Sequence, residues 1–257
     1  MRSTPDSLRA CAGCRAPEAA LPALSMAFQP ILRHGPGGNE VYAYEALVRG
    51  PQGQGAGSVL SQVTDGNRYA FDQACRVRAI EMAAGLGLGS TGAALSINFM
   101  PNAVYEPRAC IRASLAAAEK AGLPRERLVF EFTENEAVRD PAHLLGILGC
   151  YREIGFRTAI DDFGAGHSGL ALLADFQPDT VKLDMALIRG VDGDRARRVI
   201  IRHIAALCAE LGCAVVAEGV ETPGELHALR DLGITLFQGY LISRPGFETL
   251  PIPAMPC

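Results

Sequence analysis

The sequence predicts an α/β protein, a closed TIM-type (β/α)₈ barrel with one antiparallel strand near its start. Three observations predict it. The 257 residues match the size of a single such barrel. Short β-rich runs alternate with longer helical patterns along nearly the whole chain. Acidic or amide residues recur where the β-rich runs end, which is where a barrel gathers its functional side chains.

Residues 1–25 read as a leader, and 26–257 as the barrel domain. Strands are expected at 27–32 and 41–49. Only the turn-rich HGPGGNE separates them, a hairpin signal that makes one of the two antiparallel. Helix 71–86 then leads to strand 94–99, helix 111–121 to strand 128–133, and helix 141–154 to strand 158–161. A short helix, 169–176, leads to strand 180–183. Helix 194–211 precedes strand 214–218, and helix 223–232 precedes strand 236–241. In helix 194–211, Val199, Ile200, Ile204, Leu207, Cys208 and Leu211 recur at helical spacing and are expected to face the strands. His203 at the stripe's edge reads as a core or rim histidine. Arg195, Arg198 and Arg202 share a different face, read first as solvated and second as a partner site.

Composition excludes several classes. Hydrophobic residues make up 49% and charged residues 20%, as in globular rather than disordered chains. A net charge of −4 gives no basic field for a nucleic-acid polymer. No apolar run reaches the roughly 18 residues of a membrane span, and the leader lacks a signal-peptide core, so a cytoplasmic location is expected. The eight cysteines show no disulfide framework and read as reduced. Cys11 and Cys14 form a lone CxxC with no second ligand pair for zinc.

The strand ends carry the chemistry. Glu45 stands in EALVR, Asn98 in SINF, Glu131 and Glu134 in EFTE, and Asp161 and Asp162 in IDDFG. Lys182 and Asp184 follow in VKLD, Glu218 and Glu221 in AEGVE, and Gln238 in FQGY. A barrel brings these ends to one mouth. Several carboxylates buried together are costly unless cations neutralise them. An all-oxygen donor set favours one or two hard divalent ions, Mg²⁺ or Mn²⁺, over zinc. Capping and loop ion pairs are the competing reading for a single residue such as Asp184 or Glu221. The residue pattern alone stops at a metal-dependent barrel enzyme.

The order FQPI, EALVR, Asn98, EFTE, DDFG, KLD, AEGVET, QGYLISRP resembles the EAL-domain cyclic di-GMP phosphodiesterases over about residues 26–245. The resemblance implies hydrolysis of cyclic di-GMP to linear pGpG. It places Glu45, Asn98, Glu131, Asp161, Asp162 and Glu218 around two Mg²⁺ or Mn²⁺ ions. Lys182 would hold or activate the attacking water, with Glu45 and Glu218 also counted as catalytic. Arg49, Gln238 and Asp184 would hold the dinucleotide, and Glu134 would steady the loop after DDFG. Pairing into a homodimer through helices near that loop is implied too. The loop reads DDFGAGHSGL where the family usually has DDFGTGYSSL, so Ala165, His167 and Gly169 depart from it. The alternative function is a weak or inactive EAL protein that acts as a cyclic di-GMP receptor or protein-binding regulator.

Overall fold

Eight strands close into one ring. The computed structural model describes residues 21–35, 37–133, 140–166 and 169–253. Cys11, Cys14, Glu134 and His167 lie outside them. Strands β1 (Ser25–Gly35) and β2 (Gly38–Arg49) form the expected hairpin, paired from Ser25↔Arg49 to Gly35↔Gly38. Helices α1 (Ala56–Leu60) and α2 (Arg68–Gly85) lead to β3 (Ala94–Asn98). Then α3 (Pro107–Cys110) and α4 (Arg112–Ala121) precede β4 (Leu128–Thr133), and α5 (Pro141–Ile154) precedes β5 (Arg157–Phe163). Helix α6 (Gly169–Asp175) leads to β6 (Thr180–Leu183), and α7 (Met185–Ile188) and α8 (Arg195–Leu211) lead to β7 (Ala214–Ala217). Helix α9 (Pro223–Asp231), β8 (Leu236–Phe237) and β9 (Gly246–Phe247) finish the described chain.

From β2 to β8 every neighbouring pair is parallel. The first strand closes the ring by pairing antiparallel with β8 at Leu32↔Phe237. The antiparallel strand is therefore β1, and the short β9 pairs with its other end at Ala27↔Phe247. The predicted fold class stands, with short helices α1, α3 and α7 added to the expected set.

Local chemistry places the helices. Asp140 and Asp194 accept hydrogen bonds from the first backbone N–H groups of α5 and α8, and Pro141 opens α5 where no N–H is needed. Thr222 and Glu225 form a reciprocal capping box on α9. The expected strand 236–241 is cut to two residues. A Cβ at Gly239 would lie 2.1 Å from the Val220 carbonyl oxygen, so the chain leaves the ladder there to pass against backbone.

Strand alternation sorts the side chains into layers. Ile31, Ala43, Ala94, Val129, Ala159, Val216 and Leu236 form one small apolar cluster, separate from the larger strand–helix core. In that larger core Phe130 and Tyr151 have ring centroids 5.0 Å apart, and Phe99 meets Phe132 at 6.0 Å. Two residues further along each strand from the small cluster, toward the barrel mouth, the same inward face carries Gln29, Glu45, Ser96, Glu131, Asp161, Glu218 and Gln238. An apolar floor thus supports a polar layer.

Helix α8 differs from expectation. Ile201, outside the predicted stripe, is fully buried with Cys208, whereas Val199, Ile200 and Leu211 are exposed. The apolar arc is wider than the contact with the strands. Its outer part, Val199 and Ile200 with His203, lines a groove of about 560 Å³ with Phe163, Leu170 and Leu187.

Candidate metal centre

Lys182, on β6, is the hub of the polar layer. Its fully buried Nζ lies 3.3 Å from Glu45, 2.9 Å from Glu131, 2.9 Å from Asp161 and 2.7 Å from Glu218. The carboxylates come from β2, β4, β5 and the residue after β7, so only barrel closure could assemble them. One ammonium cannot balance four carboxylates that are this largely withdrawn from water. Two groups of three carboxylates have ligand atoms within 4.8 Å of one another: Glu45, Glu131 and Asp161, and Asp161, Asp162 and Glu218. They share Asp161. Such oxygen-only donor sets would suit hard divalent cations, which Glu45, Glu131, Asp161, Asp162 and Glu218 would hold.

Adjacent residues on a regular strand face opposite sides of the sheet, yet Asp161 and Asp162 both reach the site. The register between β5 and β6 shifts between Ile160 and Phe163, and Asp162 takes a positive φ of 54°. This bulge turns the second aspartate toward the first. The loop leaves through Gly164, where a Cβ would meet the Leu187 side chain at 2.5 Å, so α7 packs directly on the loop.

Further polar side chains hold the ligands. The Asn98 Nδ2 donates to Glu45 Oε1 at 3.0 Å, leaving the Asn98 carbonyl oxygen for a cation. Gln238 Nε2 donates to Glu45 Oε2 at 2.8 Å, and its own Oε1 is buried with no donor among the described residues. Ser96, absent from the predicted site residues, donates a short hydrogen bond to Glu131. Its position two residues before Asn98 on β3 was the available signal, because alternation puts both on the inner face. Gln29 in FQPI was also missed. It sits opposite Glu45 in the β1–β2 register and donates to the Ser243 carbonyl at 3.1 Å.

Other predicted residues lie around the rim. Arg49 donates to the Val48 carbonyl and lines a cleft of about 740 Å³ with Arg68, Phe71 and Asn98. Asp184 uses one oxygen to cap α7 through Ala186 N–H at 2.8 Å. Glu221 pairs with Arg189 at 2.9 Å, a loop ion pair.

Burial dominates the electrostatics. It pushes the Glu131 carboxyl up to about 8, with Glu45 and Asp161 adding to the rise and Lys182 opposing it. Glu218 is pushed well above the carboxylate range by the same burial, against the pull of Lys182. Asp162 rises to about 6 through burial and the neighbouring charges of Asp161 and Asp184. Burial disfavours the Lys182 charge, but Asp161, Glu131, Glu218 and Glu45 together hold it well above the ordinary lysine range.

A closed barrel with a carboxylate-rich mouth suited to hard cations defines the class of protein. The chain belongs to the EAL domain family, whose profile matches residues 16–245. Its fold is similar to a standalone versatile EAL protein from Vibrio cholerae O395 in its c-di-GMP-bound form. Identity there is 49% and the TM-score 0.85, covering 90% of this chain and 95% of that one. It is also similar to the manganese/cy-diGMP complex of Klebsiella pneumoniae BlrP1 at pH 6. Identity is 34% and the TM-score 0.82, with 91% of this chain and 58% of that one covered. In sequence it is 33% identical over 230 residues to the blue light- and temperature-regulated antirepressor BluF of Escherichia coli K12, covering 90% of this chain and 56% of BluF. It is 33% identical over 251 residues to the cyclic di-GMP phosphodiesterase NbdA of Pseudomonas aeruginosa, covering 90% of this chain and 30% of NbdA. The chain therefore spans about half or less of these curated relatives. Among the described residues no helix is long and apolar enough to cross a membrane.

The raised carboxyls set a pH dependence. Between the ordinary glutamate value of 4.5 and about 8, the metal-free fold holds a proton on Glu131 that the unfolded chain releases. That contribution is full below 4.5 and is lost as pH rises through 8. A metal ion needs the same carboxyl deprotonated, so its affinity rises over that window. Thermal melts with Mn²⁺ and with chelator are expected to show a larger metal-induced gain in Tm at about pH 8.5 than at about pH 5.5. A gain that is equal at both, or larger in acid, contradicts the assignment.

Proposed function

We propose that this chain hydrolyses cyclic di-GMP to linear pGpG with two divalent cations, Mg²⁺ or Mn²⁺. The observation that carries the reading is the pair of carboxylate triads sharing Asp161 around Lys182. The EAL relatives that hold cyclic di-GMP, and the one named as its phosphodiesterase, support the substrate.

Glu45, Asn98, Glu131, Asp161, Asp162 and Glu218 are the proposed ligands. When bound, the ions supply charge neutralisation for the phosphodiester and acidify a water to a nucleophile. The chain's own groups do the rest. Lys182 already spans both triads, so it can hold the attacking water and stabilise charge gathering on the phosphate. Glu45 and Glu218 flank that ammonium and fix its direction, with Gln238 and Asn98 bracing Glu45. The floor below is apolar and buried, which strengthens each of these interactions. Arg49 from the adjoining cleft, Gln238 through its unmatched carbonyl, and Asp184 through the oxygen that α7 leaves free are assigned to the dinucleotide. Glu134 is assigned to steadying the loop after Phe163.

The similarity to an antirepressor gives the second reading, a cyclic di-GMP receptor or protein-binding regulator. Every metal position being present favours the enzyme. We assign the groove between α8 and the loop after β5 to a second copy of the chain. It exposes Leu170 at 65% and Ile200 at 46%, apolar area that pairing would cover.

Two variants separate catalyst from receptor. Lys182→Met is expected to cut kcat by about 10²-fold or more, with metal and cyclic di-GMP affinity changed far less. Asp161→Asn removes the shared ligand charge, so metal binding and turnover fall together. Calorimetry beside single-turnover rates reads both. If wild type and Lys182→Met bind the dinucleotide alike and neither cleaves it, the receptor reading replaces the enzyme. For the assembly, Leu170→Glu is expected to convert a dimer to a monomer in sedimentation analysis. A wild-type chain that sediments as a monomer at every concentration refutes the pairing.

A further inference from the structure

The end of the barrel opposite the carboxylates collects positive charge. Arg33 near the end of β1, Arg127 just before β4 and Arg157 at the first residue of β5 all stand there. Arg33 pairs with Glu40 at 2.8 Å. Arg127 donates to the carbonyl oxygens of Leu88, Gly89 and Ala93, and so pins the chain before β3. Arg157 reaches only the Tyr42 hydroxyl, at 3.2 Å, and its Nε is buried with no acceptor among the described residues. Burial, and then repulsion from Arg157, push the Arg127 guanidinium below its ordinary range. Within the cleft beside them, two guanidinium groups, Arg33 and Arg157, stand against one carboxylate, Glu40.

A bulge brings an aromatic ring to the same place. In the β1–β2 register Ile31 faces Ala43 while Leu32 faces Val41, so Tyr42 is the extra residue. An extra residue breaks strand alternation and re-aims its side chain. The Arg33 guanidinium lies 4.6 Å from the Tyr42 ring centroid and that of Arg157 lies 5.6 Å away. Arg33, Tyr42 and Arg157 line a cleft of about 460 Å³, floored by Thr91 and Gly92. Glu40 is the one acidic residue lining it among those described.

We propose that this cleft binds a small phosphate-bearing molecule, a phosphomonoester or diphosphate, between Arg157 and Arg33. Guanidinium forks match phosphate oxygens two at a time, and the terminal nitrogens of Arg157 carry a hydrogen bond to the Tyr42 hydroxyl rather than an ion pair among the described residues. The cleft has room for more than a lone inorganic phosphate, so an attached group fits alongside. The protein's net charge of −4 gives no general attraction for anions, so binding depends on this local excess. The site lies apart from the metal centre but shares strands with it: β2 carries Tyr42 and Glu45, and β5 carries Arg157 and Asp161.

The test is calorimetric titration of the full chain with pyrophosphate, with chelator present so that no metal draws the anion to the mouth. The expected Kd is about 1 mM or tighter for wild type, weakened at least about tenfold in both Arg157→Gln and Arg33→Gln. Arg49→Gln, at the opposite end, is expected to leave it unchanged. Arg33 is half exposed, so its variant keeps the test alive if Arg157→Gln fails to fold. No binding up to about 10 mM, or binding lost in Arg49→Gln and kept in Arg33→Gln, overturns the proposal.

Discussion

The ammonium of Lys182 among four carboxylates is the constraint on which the rest depends. Removing each of these charges from water costs several kcal/mol. A single lysine offsets part of that cost, and the surplus negative charge remains. The protein answers in two ways. Burial pushes the Glu131 and Glu218 carboxyls toward their protonated forms when no cation is present, and divalent ions would oppose that shift. A site that must choose between protons and metal is unstable without one of them, and this makes the mouth responsive to both.

The fold serves this site through alternation and two departures from it. Regular pleating puts an apolar layer under a polar layer on the inner face of the ring, and that layering alone delivers Glu45, Ser96, Glu131 and Asp161 to one level. The bulge at Asp162 adds a second aspartate from the same strand, at the cost of a strained backbone. The bulge at Tyr42 does the same for an aromatic ring at the opposite end. Outside the ring, Leu187 of α7 packs against Gly164 while lining the groove on α8. Whatever covers that groove therefore touches the loop that follows the aspartates.

Much of this was legible in the sequence, for physical reasons. Strand-end acids were readable because a barrel has one mouth, so Glu45, Glu131, Asp161 and Glu218 could be grouped before any coordinates. The hairpin was readable from HGPGGNE, and α5 from its helical pattern over 141–154. Ser96 was missed although alternation from Asn98 puts it on the inner face, because its role depends on Glu131 of the neighbouring strand β4. The resemblance assigns Gln238 to the dinucleotide, yet its amide donates to Glu45, a contact of residues 193 apart in sequence. The α8 stripe misled because helical periodicity reports an apolar face without saying what covers it. Cys208 of the stripe is buried and Ile204 and Leu207 pack on the core, but Ile201 outside it is buried too, and Val199 and Ile200 were left at the surface.

The central claim is that the two carboxylate triads joined by Asp161 hold two metal ions. Counting bound Mn²⁺ by electron paramagnetic resonance at about pH 8 tests it most directly. Two ions per chain are predicted, with fewer in Asp161→Asn, which lacks the charge of the residue common to both triads. One ion, or none, in the folded wild-type chain would contradict it.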